Sequence, residues 1–299
     1  MLFDVAIPVH EKDLRTLDFC IASIKKNVVG FRNIYIISKK RYTKNGLWVD
    51  ESKFPFAFKE VQNLSGNISA SWCFQQLLKL YSPLSIKNSL PNILIIDSDT
   101  IFYKKTTFFE NNIPLYNLSK DLNLYNSVFQ IQTCNHISTL VPKVKEKLPE
   151  LYNYKEQEHQ IVCKKFHEKL SFLSENDKNL SSNLISPVCH HMIFQKKVIE
   201  CLFKYIEKKN NNEQFYKVFL KSFNNFRFVS EYSLYFYFLI TFFPNSYKIR
   251  ILKYKNSANL NPLLESLRKK YDYCSYHSYM ARDSLMLNII NNFYRKIAY

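Results

Sequence analysis

The stretch Asn92-Ile-Leu-Ile-Ile-Asp-Ser-Asp-Thr-Ile-Phe102 decides the fold. Four apolar residues run into two carboxylates one residue apart, and a second apolar pair follows. An apolar run this short and Ile-rich, introduced by Pro91, reads as a buried, parallel strand. Asp97 and Asp99 then stand where the strand leaves the sheet. In open α/β sheets, ligands bind in the crevice beyond the carboxyl ends of the strands. Two carboxylates placed there repel one another unless a cation lies between them. The pattern points to a divalent, oxygen-preferring metal that holds a phosphorylated substrate.

Upstream, Leu2–Ile7 reads as a first strand closed by Pro8. Asp13–Lys26 carries Leu14, Leu17, Ile21 and Ile24 at helical spacing, and Asn33–Ser38 reads as a second strand. A β-α-β unit of this kind makes its two strands parallel, with a right-handed crossover. A loop with Gly46 and Trp48, a short strand near Phe58–Val61 and a helix over Ser69–Tyr81 lead up to the Asp pair. Downstream, a short strand is expected at Ser127–Gln132. From Pro142 the chain reads as mainly helical, with helices expected at 142–148, 155–170, 196–208, 213–223 and 231–242. Strands are expected at 248–253 and 272–277, and Asp177–Asn183 reads as a mobile loop.

Composition narrows the chemistry. The 299 residues suffice for one large domain with a substantial core, and 25 Phe with 21 Tyr argue against disorder. The 3 Gly stand at positions 30, 46 and 66, which removes every Gly-dependent phosphate loop, Walker or G-x-G-x-x-G. The net charge of +17 would suit an anionic substrate, an anionic membrane face or nucleic acid, yet no nucleic-acid-binding motif accompanies it. The 7 Cys are scattered and never spaced C-x-x-C, as expected of reduced thiols in a cytosolic compartment rather than disulfides or a zinc site. The N-terminus lacks the basic and apolar regions of a signal peptide. Leu234–Phe243 is about half the length of a membrane span and reads as a core helix. A cytoplasmic protein is expected, with peripheral contact at the inner face of an anionic membrane left open.

The Asp pair alone leaves several readings. Asp-x-Asp also serves as a plain turn that binds backbone N–H groups. Haloacid-dehalogenase-type phosphatases follow a strand with D-x-D-x-T, matched by Asp97-Ser-Asp-Thr100, which would make Asp97 a nucleophile and Asp99 a general acid/base. That fold places the motif near its N-terminus and needs a later Gly-Asp loop. Here a β-α-β unit precedes it and no Gly follows residue 66. GT-A glycosyltransferases use D-x-D to hold Mn²⁺ or Mg²⁺ on the diphosphate of a nucleotide sugar, where the metal acts as a Lewis acid.

Six pieces carry a resemblance to one family: Asp4-Val-Ala-Ile-Pro-Val-His10, Ser71-Trp-Cys-Phe-Gln-Gln-Leu-Leu-Lys79, Ile96-Asp-Ser-Asp-Thr100, Cys189-His-His-Met-Ile-Phe194, Ser230-Glu-Tyr-Ser-Leu-Tyr235 and Tyr276-His-Ser-Tyr279. In order and spacing the chain resembles a family of GT-A glycosyltransferases found in bacteria and large DNA viruses. It departs from the family at Ser71, where Gly is common before the Trp, and at Ser233, where a second acid often follows Glu-Tyr.

The resemblance implies a GT-A-like α/β domain over 1–299, with a mixed central sheet flanked by helices. Residues 1–135 would form the nucleotide-sugar-binding half and 136–299 a mainly helical acceptor-binding half. Asp97, Asp99 and His277 would hold the metal, with Ser98 beside the donor. Pro8, Val9 and His10 would meet the nucleoside at the end of the first strand, and Ser38 and Lys39 the base and phosphates at the end of the second. Trp72, Gln75 and Gln76 share one helix and offer contacts to nucleotide or sugar. His190 and His191 are adjacent and would point to opposite sides of an extended segment, and His191 is the one expected to face the site. Glu231, N-capped by Ser230, would deprotonate or bind the acceptor hydroxyl. The donor would be a UDP- or GDP-sugar, and the acceptor a glycan, a lipid-linked molecule or a protein, with no nucleic acid involved. The alternative of a different class is a non-catalytic basic protein that binds nucleic acid or a membrane surface.

Overall fold

The computed structural model describes residues 1–66, 68–119, 124–152, 186–226, 228–257 and 265–277. In chain order the first half supplies β1 (Phe3–Pro8), α1 (Leu14–Asn27), β2 (Phe31–Ser38), β3 (Leu47–Asp50), α2 (Phe58–Leu64), α3 (Ala70–Ser85), β4 (Asn92–Ile96), β5 (Thr100–Phe102) and β6 (Ile113–Asn117). There follow α4 (Leu124–Leu140), α5 (Pro142–Lys147), β7 (His191–Gln195), α6 (Lys196–Lys209), α7 (Phe215–Lys221), α8 (Glu231–Phe242), β8 (Lys248–Arg250), β9 (Tyr254–Ser257) and β10 (Tyr273–Tyr276). The helix expected at 155–170, the loop at Asp177–Asn183 and Ser278-Tyr279 of the last motif lie outside the described residues.

The fold is mixed α/β, as the apolar runs require. Five strands form the central sheet in the order β7-β4-β1-β2-β3. β1 runs parallel to β2 and to β4, β2 runs parallel to β3, and β7 closes one edge antiparallel to β4. Val5, Ala6 and Ile7 of β1 and Ile93 to Ile96 of β4 are fully buried, which is why these strands read as continuous apolar runs rather than alternating ones. The chain leaves β1 for β2 on one side and returns as β4 on the other. The strand order therefore reverses between β1 and β4, the place where open α/β sheets form a crevice.

At the opposite end of these strands a part-buried ionic node ties β1 to the start of β2 and to the segment before β4. Asp4 is fully buried. It accepts hydrogen bonds from Arg32 Nε (3.0 Å) and Nη2 (2.6 Å), and from the backbone N–H groups of Asn33 (3.1 Å) and Leu90 (2.7 Å). A carboxylate inside a protein is tolerable only with its lone pairs filled in this way.

A small sheet of β9, β10 and β5 lies beyond β4, with β10 antiparallel to β5. α1 anchors it, since Ser23 Oγ accepts from Phe102 N (3.0 Å) and Asn27 Nδ2 donates to Phe102 O (2.6 Å). α8 is buried from Glu231 to Thr241, and a helix apolar all round belongs in a core. With few glycines, asparagines take the left-handed backbone positions: Asn88, Asn111, Asn112, Asn211 and Asn212 all have positive φ.

Two expected strands are helices. Phe58–Val61 belongs to α2, where Val61 is the buried residue and Phe58 is exposed. Ser127–Gln132 lies inside α4, a 17-residue helix whose Cys134, Ile137 and Leu140 are buried at helical spacing. Among the described residues no helix is long and apolar enough to cross a membrane.

Candidate functional site

The residues that follow β4 make a tight turn into β5. Thr100 N donates to Asp97 O (3.0 Å), closing it. Two further segments pin it: Asp97 N donates to His190 O (2.9 Å) and Tyr276 N to Asp99 O (3.0 Å). The two acidic side chains thus emerge together at the reversal point of the sheet, into a cavity of about 300 Å³. Trp72, Gln75, Ser98, Glu231 and His277 also line it.

Asp97 is held by three partners. Its Oδ1 lies 2.5 Å from Lys79 Nζ and accepts from Tyr232 OH at 3.2 Å, and its Oδ2 lies 3.3 Å from His190 Nδ1. Burial by itself would raise the Asp97 carboxyl, but Lys79 and His190 outweigh it and hold the group well below the ordinary carboxylate range. Lys79 reaches a second acid, Glu231 Oε1, at 2.7 Å. Burial would lower its ammonium, and Asp97 and Glu231 together raise it instead. Asp99 Oδ2 faces His277 Nδ1 at 3.0 Å. Its Oδ1 is buried without a hydrogen-bond partner among the described residues. The rings of His190 and His277 lie 4.7 Å apart.

That orphaned oxygen bears on whether a metal fits. Two carboxylates with two imidazoles beside them are suitable donors for Mn²⁺, and the carboxylates alone for Mg²⁺. Among the described residues no group of three or more His, Cys, Asp or Glu side chains is preassembled as a cage. An ion here would complete its shell with ligand oxygens or water.

α3 supplies one wall. Trp72, Gln75 and Lys79 line the cavity. Gln76 turns below it, where its Oε1 accepts from Glu231 N (3.0 Å) and so fixes the start of α8. Ser230 caps the same helix, accepting from Ser233 N (3.2 Å). Lys12 and Asp13 enter from the turn after β1. Burial and then the nearby Asp99 raise the Asp13 carboxyl, while Lys12 opposes them.

Other expected residues lie elsewhere. Pro8 and Val9 are buried at the end of β1, and His10 caps the turn that follows, its Nδ1 accepting from Lys12 N (3.3 Å). Ser38 is buried and donates to Lys40 O (2.8 Å), while Lys39 is exposed. None of these five lines the cavity, although all stand at the carboxyl ends of strands next to it. The choice of His191 needs correcting. His191 starts β7 and points into the core, packed against Phe102, Phe108 and Tyr273, where burial lowers its pKa well below the usual value. His190 faces the site instead, because it sits at φ 61°, off the extended path that alternation assumes.

From the sequence no site role is assigned to Lys79, Tyr232, Lys12 or Asp13, and of the two adjacent histidines His191 is preferred to His190. For Lys79 a signal existed: Trp72, Gln75, Gln76 and Lys79 stand at i, i+3, i+4 and i+7, one face of a helix.

No protein-family model and no curated protein matches the chain. Similar solved structures include mouse xyloside xylosyltransferase 1 in its apo form, with a TM-score of 0.42 and 9% identity over 92% of this chain and 97% of that one. Another is the apo WbbM bifunctional glycosyltransferase, with a TM-score of 0.40 and 12% identity over 92% of this chain and 45% of that one.

Proposed function

We propose that the chain is a metal-dependent glycosyltransferase that moves a sugar from a nucleotide-sugar donor to a glycan, lipid-linked or protein acceptor. The observation that carries this reading is the Asp97-Ser-Asp99 turn. It stands at the reversal point of the sheet, lines an open cavity, and leaves one buried Asp99 oxygen unpartnered among the described residues.

Asp97, Asp99 and His277 would hold Mn²⁺ or Mg²⁺. A bound divalent ion supplies neutralising charge for the departing nucleoside diphosphate. Lys12, lining the same cavity, adds a cation for phosphate oxygens. The Trp72 ring offers a flat apolar surface and Gln75 an amide for base or sugar. Glu231, at the N-terminus of α8, accepts the acceptor's hydroxyl proton or binds that hydroxyl. The phosphatase alternative needs Asp97 free to attack phosphorus. Lys79 and Tyr232 hold one of its oxygens and His190 faces the other.

The test is a screen of UDP- and GDP-sugars for slow hydrolysis with Mn²⁺ and no acceptor. Turnover of one donor, abolished by EDTA, is expected. Absence of turnover with every donor, together with absence of transfer to any acceptor class, counts against the proposal.

A further inference from the structure

Lys79 is a charged group in the cavity that the proposed reaction does not use. It sits midway along α3 with its side chain only 6% exposed. An ammonium buried this far is unfavourable unless paired. Here the pairing is double, with Asp97 at 2.5 Å and Glu231 at 2.7 Å, and the Tyr232 ring lies 4.4 Å from Nζ. Gln76, one turn earlier on α3, bonds the backbone of Glu231 and so fixes the second partner relative to the first.

The ammonium therefore already occupies Asp97 as a cation would. Asp99 differs, because no lysine or arginine is paired with it and one of its oxygens is buried without a partner among the described residues. We infer that Lys79 is a tethered counter-cation: it neutralises Asp97 in the metal-free protein, and a divalent ion entering at Asp97 and Asp99 displaces it toward Glu231. A compact ammonium on a flexible four-carbon stem can make that move while keeping one carboxylate partner. Metal entry then becomes an exchange of one cation for another at Asp97, so neither Asp97 nor Glu231 is left unpaired. The free protein binds metal more weakly as a result. This inference rests on the reading of Asp97 and Asp99 as metal ligands.

The experiment is calorimetric titration of Mn²⁺ alone into the full chain without nucleotide, with the melting temperature recorded for every variant. Lys79→Met alone would leave two acids unpaired, so the test uses Lys79→Met/Glu231→Gln, which removes one charge of each sign and keeps the net charge of the cluster. It should bind Mn²⁺ about tenfold more tightly than the native chain. Lys79→Arg is the second variant. It preserves the charge, and its fork grips a carboxylate through two bonds, so Mn²⁺ affinity should fall, with the melting temperature checking that the fold is kept. Mn²⁺ binding by the native chain with no gain in the double variant and no loss in Lys79→Arg overturns the inference while leaving the metal reading intact. Binding by the double variant when the native chain shows none supports it. Absence of Mn²⁺ binding by all three removes the metal reading and the inference with it.

Discussion

At the scale of the residue, the Asp pair carries most of the account. It was legible because a buried apolar run leaves little doubt about where the strand ends, and two acids at that point need a reason. The histidines were less legible. Adjacent residues alternate on a strand, but the left-handed φ of His190 breaks the alternation, and nothing in the sequence marks that bend. Asp99→Asn should abolish metal-dependent nucleotide-sugar turnover with little loss of melting temperature, since Asp99 stands at the cavity edge and its Oδ1 makes no bond within the described residues. Retained turnover in this variant would remove Asp99 as a ligand.

A second residue, remote from the cavity, makes a prediction about pH. His136 is fully buried among Phe219, Phe223 and Phe226, and its Nε2 lies 2.7 Å from Ser222 Oγ. Ser222 donates its own proton to Phe219 O, so its oxygen accepts from His136 Nε2–H. Burial pulls the histidine's pKa down to about 3. The folded value lies below the unfolded one near 6.5, so the stability is present above pH 6.5 and is lost as pH falls toward 3. The slope from this one group is about 1.4 kcal/mol per pH unit. Denaturant unfolding between pH 7 and pH 4 should show His136→Phe with a flatter pH dependence than the native chain. Equal slopes would contradict the assignment.

At the scale of the element, strands and helices with a clear period or a long apolar run emerged from the sequence, and short mixed ones did not. β1, β4, α1 and α8 are within a residue or two of expectation. Phe58-Lys-Glu-Val61 and Ser127-Val-Phe-Gln-Ile-Gln132 are too short to separate a strand from a buried helix by periodicity, and tertiary packing decided both. α3 and α8 were each foreseen, but not that they meet through Gln76, Lys79 and Glu231. That contact joins residues far apart in sequence, and no local pattern reports it. It also changes what Glu231 should do on substitution. An acid that merely opened an exposed helix would contribute roughly 1 kcal/mol or less. Glu231 is paired with a buried lysine, so Glu231→Gln should lower stability by about 1–3 kcal/mol. If Glu231 is the base, the same change should also slow transfer by about 10²–10⁴-fold while donor binding survives. Lowered stability with normal turnover would leave Glu231 as a strut between α3 and α8.

At the scale of the whole molecule, charge is distributed in two tiers. The chain is strongly basic at +17, yet the cavity gathers Asp13, Asp97, Asp99 and Glu231 against Lys12 and Lys79. A basic exterior would draw an anionic ligand from a distance, and carboxylates in the cavity would suit a divalent cation. In the proposed reading a metal ion would reconcile them, because it would let a diphosphate settle over carboxylates that otherwise repel it. The α/β class was legible from the apolar runs. The insertion of β7 beside β4 was not, since an antiparallel edge strand from the second half has no signature in the first. The most direct test of this arrangement is calorimetric titration of UDP and of GDP into the chain, with Mn²⁺ and then with EDTA. Binding of one nucleotide that appears with Mn²⁺, vanishes with EDTA and is absent in Asp99→Asn is the predicted result. Absence of nucleotide binding under both conditions, or binding indifferent to metal and to Asp99, would contradict it.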